Sequence, residues 1–224
     1  MNIKEIAKCV LFRGVEETQL QEVLLAVDAE EVPFHKGEVL AKQDELCNRL
    51  IILVKGSITA EMTSPAGKVV KVEDIEAPSP LAILYLFGEN NRFPVQVTTR
   101  EEGVALVISK SSVLKMLRMN EALLKNYLDL CAYFASALSR KLYLISFRTI
   151  RQKIASYLLS LVQGEETIVR TEYSQAALAQ YFGVSRPSLA RELRRMQDEG
   201  LIEVHKKEIQ ILAKNKLFHL VHFS

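Results

Sequence analysis

Arginines crowd one short stretch of the chain. Residues 174–204 read Ser-Gln-Ala-Ala-Leu-Ala-Gln-Tyr-Phe-Gly-Val-Ser-Arg-Pro-Ser-Leu-Ala-Arg-Glu-Leu-Arg-Arg-Met-Gln-Asp-Glu-Gly-Leu-Ile-Glu-Val. On a helix, Ser188, Arg191 and Arg195 share one face, Arg194 lies at its edge and Arg186 at its N-terminal end. Leu189, Leu193 and Met196, at i, i+4 and i+7, occupy the opposite face. A guanidinium fork can donate two hydrogen bonds to guanine O6 and N7, and a serine hydroxyl can reach a phosphate or a base edge. Such a helix is suited to reading a DNA groove. A solvated arginine-rich helix in an αα-hairpin has the same composition, so the flanking residues decide between the two.

Those flanks favour DNA. Ser174 can cap a preceding helix that carries Ala177, Leu178 and Phe182, and Gly183 can end it in a left-handed turn. Ser185 or Arg186 caps the next helix, with Pro187 tolerated in its first turn, and Gly200 stops it. Beyond lie two β-rich runs, Leu201-Ile202-Glu203-Val204 and Ile209-Gln210-Ile211-Leu212, around His205-Lys206-Lys207-Glu208. The spacing predicts a helix-turn-helix followed by a wing whose Lys206 and Lys207 rest on phosphate. The expected DNA contacts are Ser185, Arg186, Ser188, Arg191, Arg195, Lys206 and Lys207.

Other chemistries find little support. Cys9, Cys47 and Cys131 are odd in number and scattered, which gives no disulfide framework and no CxxC metal site, and suits a reducing cytoplasm. Of four histidines, only His35 lies outside the C-terminal region, too few for a cupin-type metal centre. No nucleophile motif and no GxxxxGK[ST] loop is present. The expectation is no catalytic residue, no metal and no enzyme. The chain starts without the apolar core of a signal peptide, and no run is long enough to span a bilayer, so a soluble cytoplasmic protein is expected.

Charge is unevenly distributed over the 224 residues, although the total is only +2. Residues 1–120 hold 14 basic and 17 acidic side chains, whereas residues 139–224 hold 14 and 8. A basic rear half fits a polyanionic partner. Hydrophobic residues at 49% and charged residues at 25% exclude a disordered or fibrous chain.

The elements that must position the arginines come earlier. Residues 3–29 read as helical, with Leu20, Val23, Leu24 and Val27 on one face. Residues 31–109 hold short β-rich runs (50–54, 69–72, 104–108) between turn signals, the texture of a small β-roll or double-stranded jelly-roll. From 121 to 145 there is no Gly or Pro, and Leu124, Leu128, Cys131, Ala135, Leu138, Leu142 and Ile145 recur at spacings of 4, 3, 4, 3, 4 and 3. That a/d seam predicts a helix that pairs with a second copy, while Leu123, Tyr127, Leu130 and Phe134 form a second stripe able to pack on the β-roll. Residues 146–148 read as a joint before another helix, 150–162. The expected α+β organisation is therefore a β-roll sensor (1–118), a long dimerisation helix with hinge (119–146) and a winged helix-turn-helix (147–224).

In this order of parts, with Gly-Val-Ser-Arg-Pro-Ser-Leu-Ala-Arg-Glu-Leu at 183–193 and Gly-Leu-Ile at 200–202, the chain resembles the CRP/FNR transcription regulators. An opening Leu11-Phe12-Arg13-Gly14-Val15 and the turn Phe34-His35-Lys36-Gly37-Glu38 extend the resemblance over nearly the whole chain. It implies a dimer on palindromic promoter DNA, base contacts from Arg186 and Arg191, RNA polymerase as a further partner, and an effector in the β-roll. Pro187 stands where many members carry an acidic residue, which bears on the operator sequence. The competing expectation is a cyclic-nucleotide-binding-like module that binds proteins without specific DNA recognition.

The resemblance also frames the effector. Cyclic-nucleotide members hold the phosphate with Gly-Glu followed by an Arg-Ser/Thr-Ala run; here Phe87-Gly88-Glu89 is followed by Asn90-Asn91-Arg92-Phe93-Pro94, so the cassette is broken. On the dimer helix Leu138-Ser139 aligns with the base-contacting pair, leaving one hydroxyl of two. An iron–sulfur cluster needs four thiolates, which this chain lacks. Haem stays open as an effector, with the apolar run 81–87 and Phe93 as lining and His35, Met62 or Met116 as conceivable ligands, beside an unidentified small molecule. The expected effector contacts are Phe87, Phe93, Leu138 and Ser139.

Overall fold

The computed structural model describes residues 1–162, 164–171, 173–205 and 208–222, with the backbone alone at Ile145. It comprises two compact units, residues 1–134 and the remainder from 135.

The first unit is built around β3 (Arg49–Lys55), whose five apolar residues from Leu50 to Val54 are all buried. An unbroken apolar run is what a strand covered on both faces requires. β3 lies between β8 (Gly103–Ser109) and β6 (Ser79–Leu81), and β1 (Glu30–Phe34) closes the sheet in the order β1-β8-β3-β6. A second antiparallel sheet runs β2-β7-β4-β5, formed by β2 (Val39–Ala41), β7 (Gln96–Thr99), β4 (Ser57–Thr63) and β5 (Val69–Glu76). The two four-stranded sheets make the β-roll. β5 is an edge strand and is exposed almost throughout, with Lys71 ion-paired to Asp74 at 2.6 Å.

Where β3 meets β8 the register slips between Leu53 and Lys55. Gly103 sits there because a Cβ would overlap the Lys55 carbonyl oxygen and the Phe34 ring. The N-terminal helical expectation needs correcting. Residues 3–29 form α1 (Ile3–Ile6), a single 3-10 turn (Val10–Phe12) and α2 (Glu17–Ala26), not one helix. The chain turns between α1 and α2 because burying Leu11 and Phe12 together with Leu20, Val23 and Leu24 demands a change of direction.

α3 (Lys110–Met119), capped by the Ser109 hydroxyl, leads into α4 (Glu121–Ser146). Leu123, Tyr127 and Leu130 of α4 are buried in the core of the first unit, and the Tyr127 hydroxyl donates to the Ile83 carbonyl at 2.9 Å. Near its other end, Leu144 is buried in the core of the second unit.

In that second unit α5 (Ile150–Leu161) starts with a capping box in which Thr149 and Gln152 satisfy each other's backbone donors. α6 (Gln175–Phe182) and α7 (Arg186–Asp198) follow, and β10 (Ile202–His205) pairs antiparallel with β11 (Glu208–Ile211). A short strand the sequence did not announce, β9 (Ile168–Arg170), makes the sheet three-stranded in the order β10-β11-β9, and α8 (Lys214–His222) completes the unit.

Candidate DNA-binding surface and sensor interior

The turn between α6 and α7 follows from local chemistry. Ser174 caps α6 through the Ala177 N–H, and Gly183 ends it in the left-handed region at φ 67°. Ser185, not Arg186, is the cap of α7: its hydroxyl accepts the Ser188 N–H at 3.2 Å and donates to the Ser188 hydroxyl at 2.8 Å. Arg186 is thereby the first helical residue and Pro187 the second, where a missing N–H costs nothing. The Lys153 ammonium donates to the Phe182 carbonyl at 2.9 Å, favouring the negative end of α6.

α7 is fixed from beneath and free above. Leu189, Leu193 and Met196 are buried; Arg186, Arg191, Arg194 and Arg195 are exposed. Among the described residues, Arg186 and Arg191 make no ion pair, and Arg195 approaches only Glu192, at 3.7 Å. Arg151 of α5 behaves differently: its Nε donates to Glu192 at 2.6 Å and its two terminal nitrogens to Glu199 at 2.8 and 2.7 Å. Those bonds hold the Glu199 carboxyl below the ordinary carboxylate range and push the Arg151 guanidinium up. Arg151 is a structural arginine that the sequence reading missed; its partners lie 41 and 48 residues away, so no local pattern marks it. Ser185, Arg186, Ser188, Arg191 and Arg195 thus share one helix end and face, whereas Lys206 and Lys207 lie outside the described residues.

The seam of α4 is uncovered. Leu124, Leu128, Leu138 and Leu142 are 41, 57, 53 and 61% exposed, Ala135 is exposed and Cys131 is half-buried. The side chain of Ile145 lies outside the described residues. Of the second stripe, Leu123, Tyr127 and Leu130 are buried and Phe134 is not.

The sensor interior is filled by the protein itself. Phe93 is fully buried, with the Arg49 guanidinium 5.6 Å from its ring centroid. Phe87 packs edge-on against Tyr127, and the Lys110 ammonium lies 5.5 Å from its ring. Arg92, which a phosphate would need, donates to the Asp44 carbonyl at 2.6 Å. The residues present therefore do not fit a cyclic-nucleotide phosphate. Nor do they fit haem: His35 is 81% exposed beside Glu102, Met62 lies on the surface, and Met116 is wholly within the core. Cys9 and Cys47 are buried, and burial raises both thiols, Cys9 to about 11, which opposes thiolate ligation. No cluster of His, Cys, Asp or Glu suited to a metal occurs among the described residues. Leu138 and Ser139 are exposed and belong to the second unit, apart from Phe87 and Phe93 in the first.

A β-roll joined through a long helix to a winged helix-turn-helix with outward arginines defines an effector-type transcription regulator. Comparison with known proteins agrees. Residues 31–120 match the family described as the cyclic nucleotide-binding domain and residues 152–220 the Crp-like helix-turn-helix domain. The chain is 22% identical over 223 residues to the CRP-like cAMP-activated global transcriptional regulator of Mycobacterium tuberculosis, covering 95% of this chain and 96% of that one. It is 23% identical over 177 residues to the cAMP-activated global transcriptional regulator CRP of Salmonella typhimurium, covering 77% and 84%. The catabolite activator protein of Thermus thermophilus shares the fold, with a TM-score of 0.57 and 19% identity over 95% of this chain and 98% of that chain. The chain belongs to the CRP/FNR family of transcription regulators. The alternative of a protein-binding module without DNA recognition gains no support. No helix among the described residues is long and apolar enough to cross a membrane.

Proposed function

We propose that the protein is a homodimeric, non-catalytic regulator that binds a two-fold promoter sequence through α7. The observation that carries this reading is the contrast among the arginines: Arg151 is fully engaged within the fold, while Arg186 and Arg191 are held outward by a capped helix without an ion-pair partner among the described residues. Arg186 and Arg191 read base edges, Ser185, Ser188 and Arg195 meet phosphates or base edges, and Lys206 and Lys207 rest on the backbone from the wing tip. Leu124, Leu128, Cys131, Ala135, Leu138, Leu142 and Ile145 form the dimer seam, because four exposed leucines along one helix lose their contact with water only against a partner.

In this reading residues 1–118 sense, 119–146 pair and hinge, and 147–224 bind DNA. α4 contributes to both cores, so a change in the sensor that shifts it would reset the paired recognition helices. The effector is a small molecule other than a cyclic nucleotide or haem. RNA polymerase is the further partner expected of such a regulator at a promoter.

The test is selection of duplexes from a random library by the purified full chain, followed by titration at several salt concentrations. Enrichment of one palindrome, with half-sites about 34 Å apart, supports the reading. Binding without sequence preference, or none at low salt, overturns it.

A further inference from the structure

Glu192 lies on the recognition helix between two arginines, and only one of them holds it. Its first carboxylate oxygen accepts the Arg151 Nε at 2.6 Å, while its second stands 3.7 Å from the Arg195 guanidinium. Its side chain is 16% exposed, against 63% for Arg195. On a helix, residues three apart are neighbours, so Glu192 and Arg195 would pair directly if nothing competed. The competitor is preorganised. Arg151 is itself clamped by a two-pronged pair with Glu199, which fixes the plane of its guanidinium and aims Nε at Glu192.

We propose that Arg151 is a positioning residue for DNA recognition: by drawing the Glu192 carboxylate against α5, it keeps Arg195 available as a phosphate ligand. Without Arg151, Glu192 turns to Arg195. The binding face then loses one cation and acquires an anion beside the DNA. Arg151 touches no base or phosphate in this arrangement. It acts through Glu192. This inference rests on the reading of α7 as the DNA-contacting helix.

The consequence is measurable because each phosphate contact releases a counterion and contributes about 0.9 to the slope of log affinity against log salt. For the full-length chain on its selected operator, Arg151→Gln is expected to flatten that slope by about 0.9 and to weaken binding about tenfold at about 0.1 M salt. The decisive variant is Arg151→Gln with Glu192→Gln. Removing the carboxylate frees Arg195 again, so slope and affinity return towards wild type. If Arg151 merely braces the fold, the second substitution removes nothing harmful and no rescue occurs; that result overturns the proposal, as does an unchanged slope in Arg151→Gln. Should Arg151→Gln fail to fold, Arg151→Lys decides. An ammonium cannot fork to Glu199 while donating to Glu192, so part of the slope is lost, and a folded Arg151→Lys with the wild-type slope overturns the proposal. If the wild-type chain shows no salt-dependent operator binding, the DNA-binding reading itself fails; if wild type binds and the variants match it, only the role of Arg151 does.

Discussion

The Gln197 side-chain oxygen accepts the Val204 N–H at 3.0 Å, which pins the last turn of the recognition helix to the first strand of the wing. Helix and wing are therefore presented together, and a contact made by one fixes the register of the other.

That coupling separates base readers from backbone anchors. Arg186→Ala and Arg191→Ala should each cost about 1–3 kcal/mol of discrimination between the operator and a scrambled duplex. Lys206→Ala should weaken both duplexes alike and flatten the salt slope by about 0.9. Fluorescence anisotropy on the two duplexes measures both; equal loss of discrimination from all three variants would contradict the assignment.

Pairing along α4 can be read out chemically. Cys131 lies on the seam, whereas Cys9 and Cys47 are buried. A short bis-maleimide should link two copies through Cys131, and the linked species should vanish in Cys131→Ser. Leu138→Lys should yield a folded monomer by sedimentation, since a charge at a paired apolar position disfavours association. A dimer that survives Leu138→Lys would place the interface elsewhere.

Alkaline pH should weaken the first unit through Cys9. Its pKa rises from the ordinary 9.0 to about 11 because burial disfavours the thiolate. A raised folded-state pKa means that stability is intact below about 9 and declines as pH climbs towards about 11, by an amount on the order of 1–3 kcal/mol. Cys9→Ala should remove this part of the decline in urea melts at increasing pH. An unaltered pH profile would show that Cys9 does not contribute.

Gly103→Ala should destabilise the β-roll by about 1–3 kcal/mol, because the added methyl meets the Lys55 carbonyl oxygen and the Phe34 ring at a fixed register slip. Gly67→Ala is the control, since no atom lies near its Cβ position. The comparison of their thermal midpoints checks the packing argument; equal midpoints would refute it.

Local chemistry was readable in advance where neighbours in sequence decide the conformation. Ser174, Gly183 and the Leu189, Leu193, Met196 spacing announced the helix-turn-helix, and the 3.5-residue period announced α4. The choice between Ser185 and Arg186 as cap needed the hydroxyl geometry at Ser188. What escaped depends on distant partners. β9 is short and gains its place only by pairing with β11. The break between α1 and α2 reflects burial of Leu11 and Phe12, which helical periodicity cannot register. Phe93 read as a cavity wall because an apolar side chain looks the same whether it lines a space or fills one, and only the Arg49 guanidinium beside its ring shows the latter.

The rim of the β-roll has a bearing on how copies meet. Along β5, valines at 69, 70 and 72 are interleaved and followed by Lys71, Glu73, Asp74 and Glu76, and the ladder to β4 slips between Ala60 and Glu61. An approaching strand from another molecule would find its backbone partners out of step and charged groups in its path. Open-ended growth by strand addition is discouraged along that border, which leaves the leucine row of α4 as the favoured place for one copy to recognise another and stop at two.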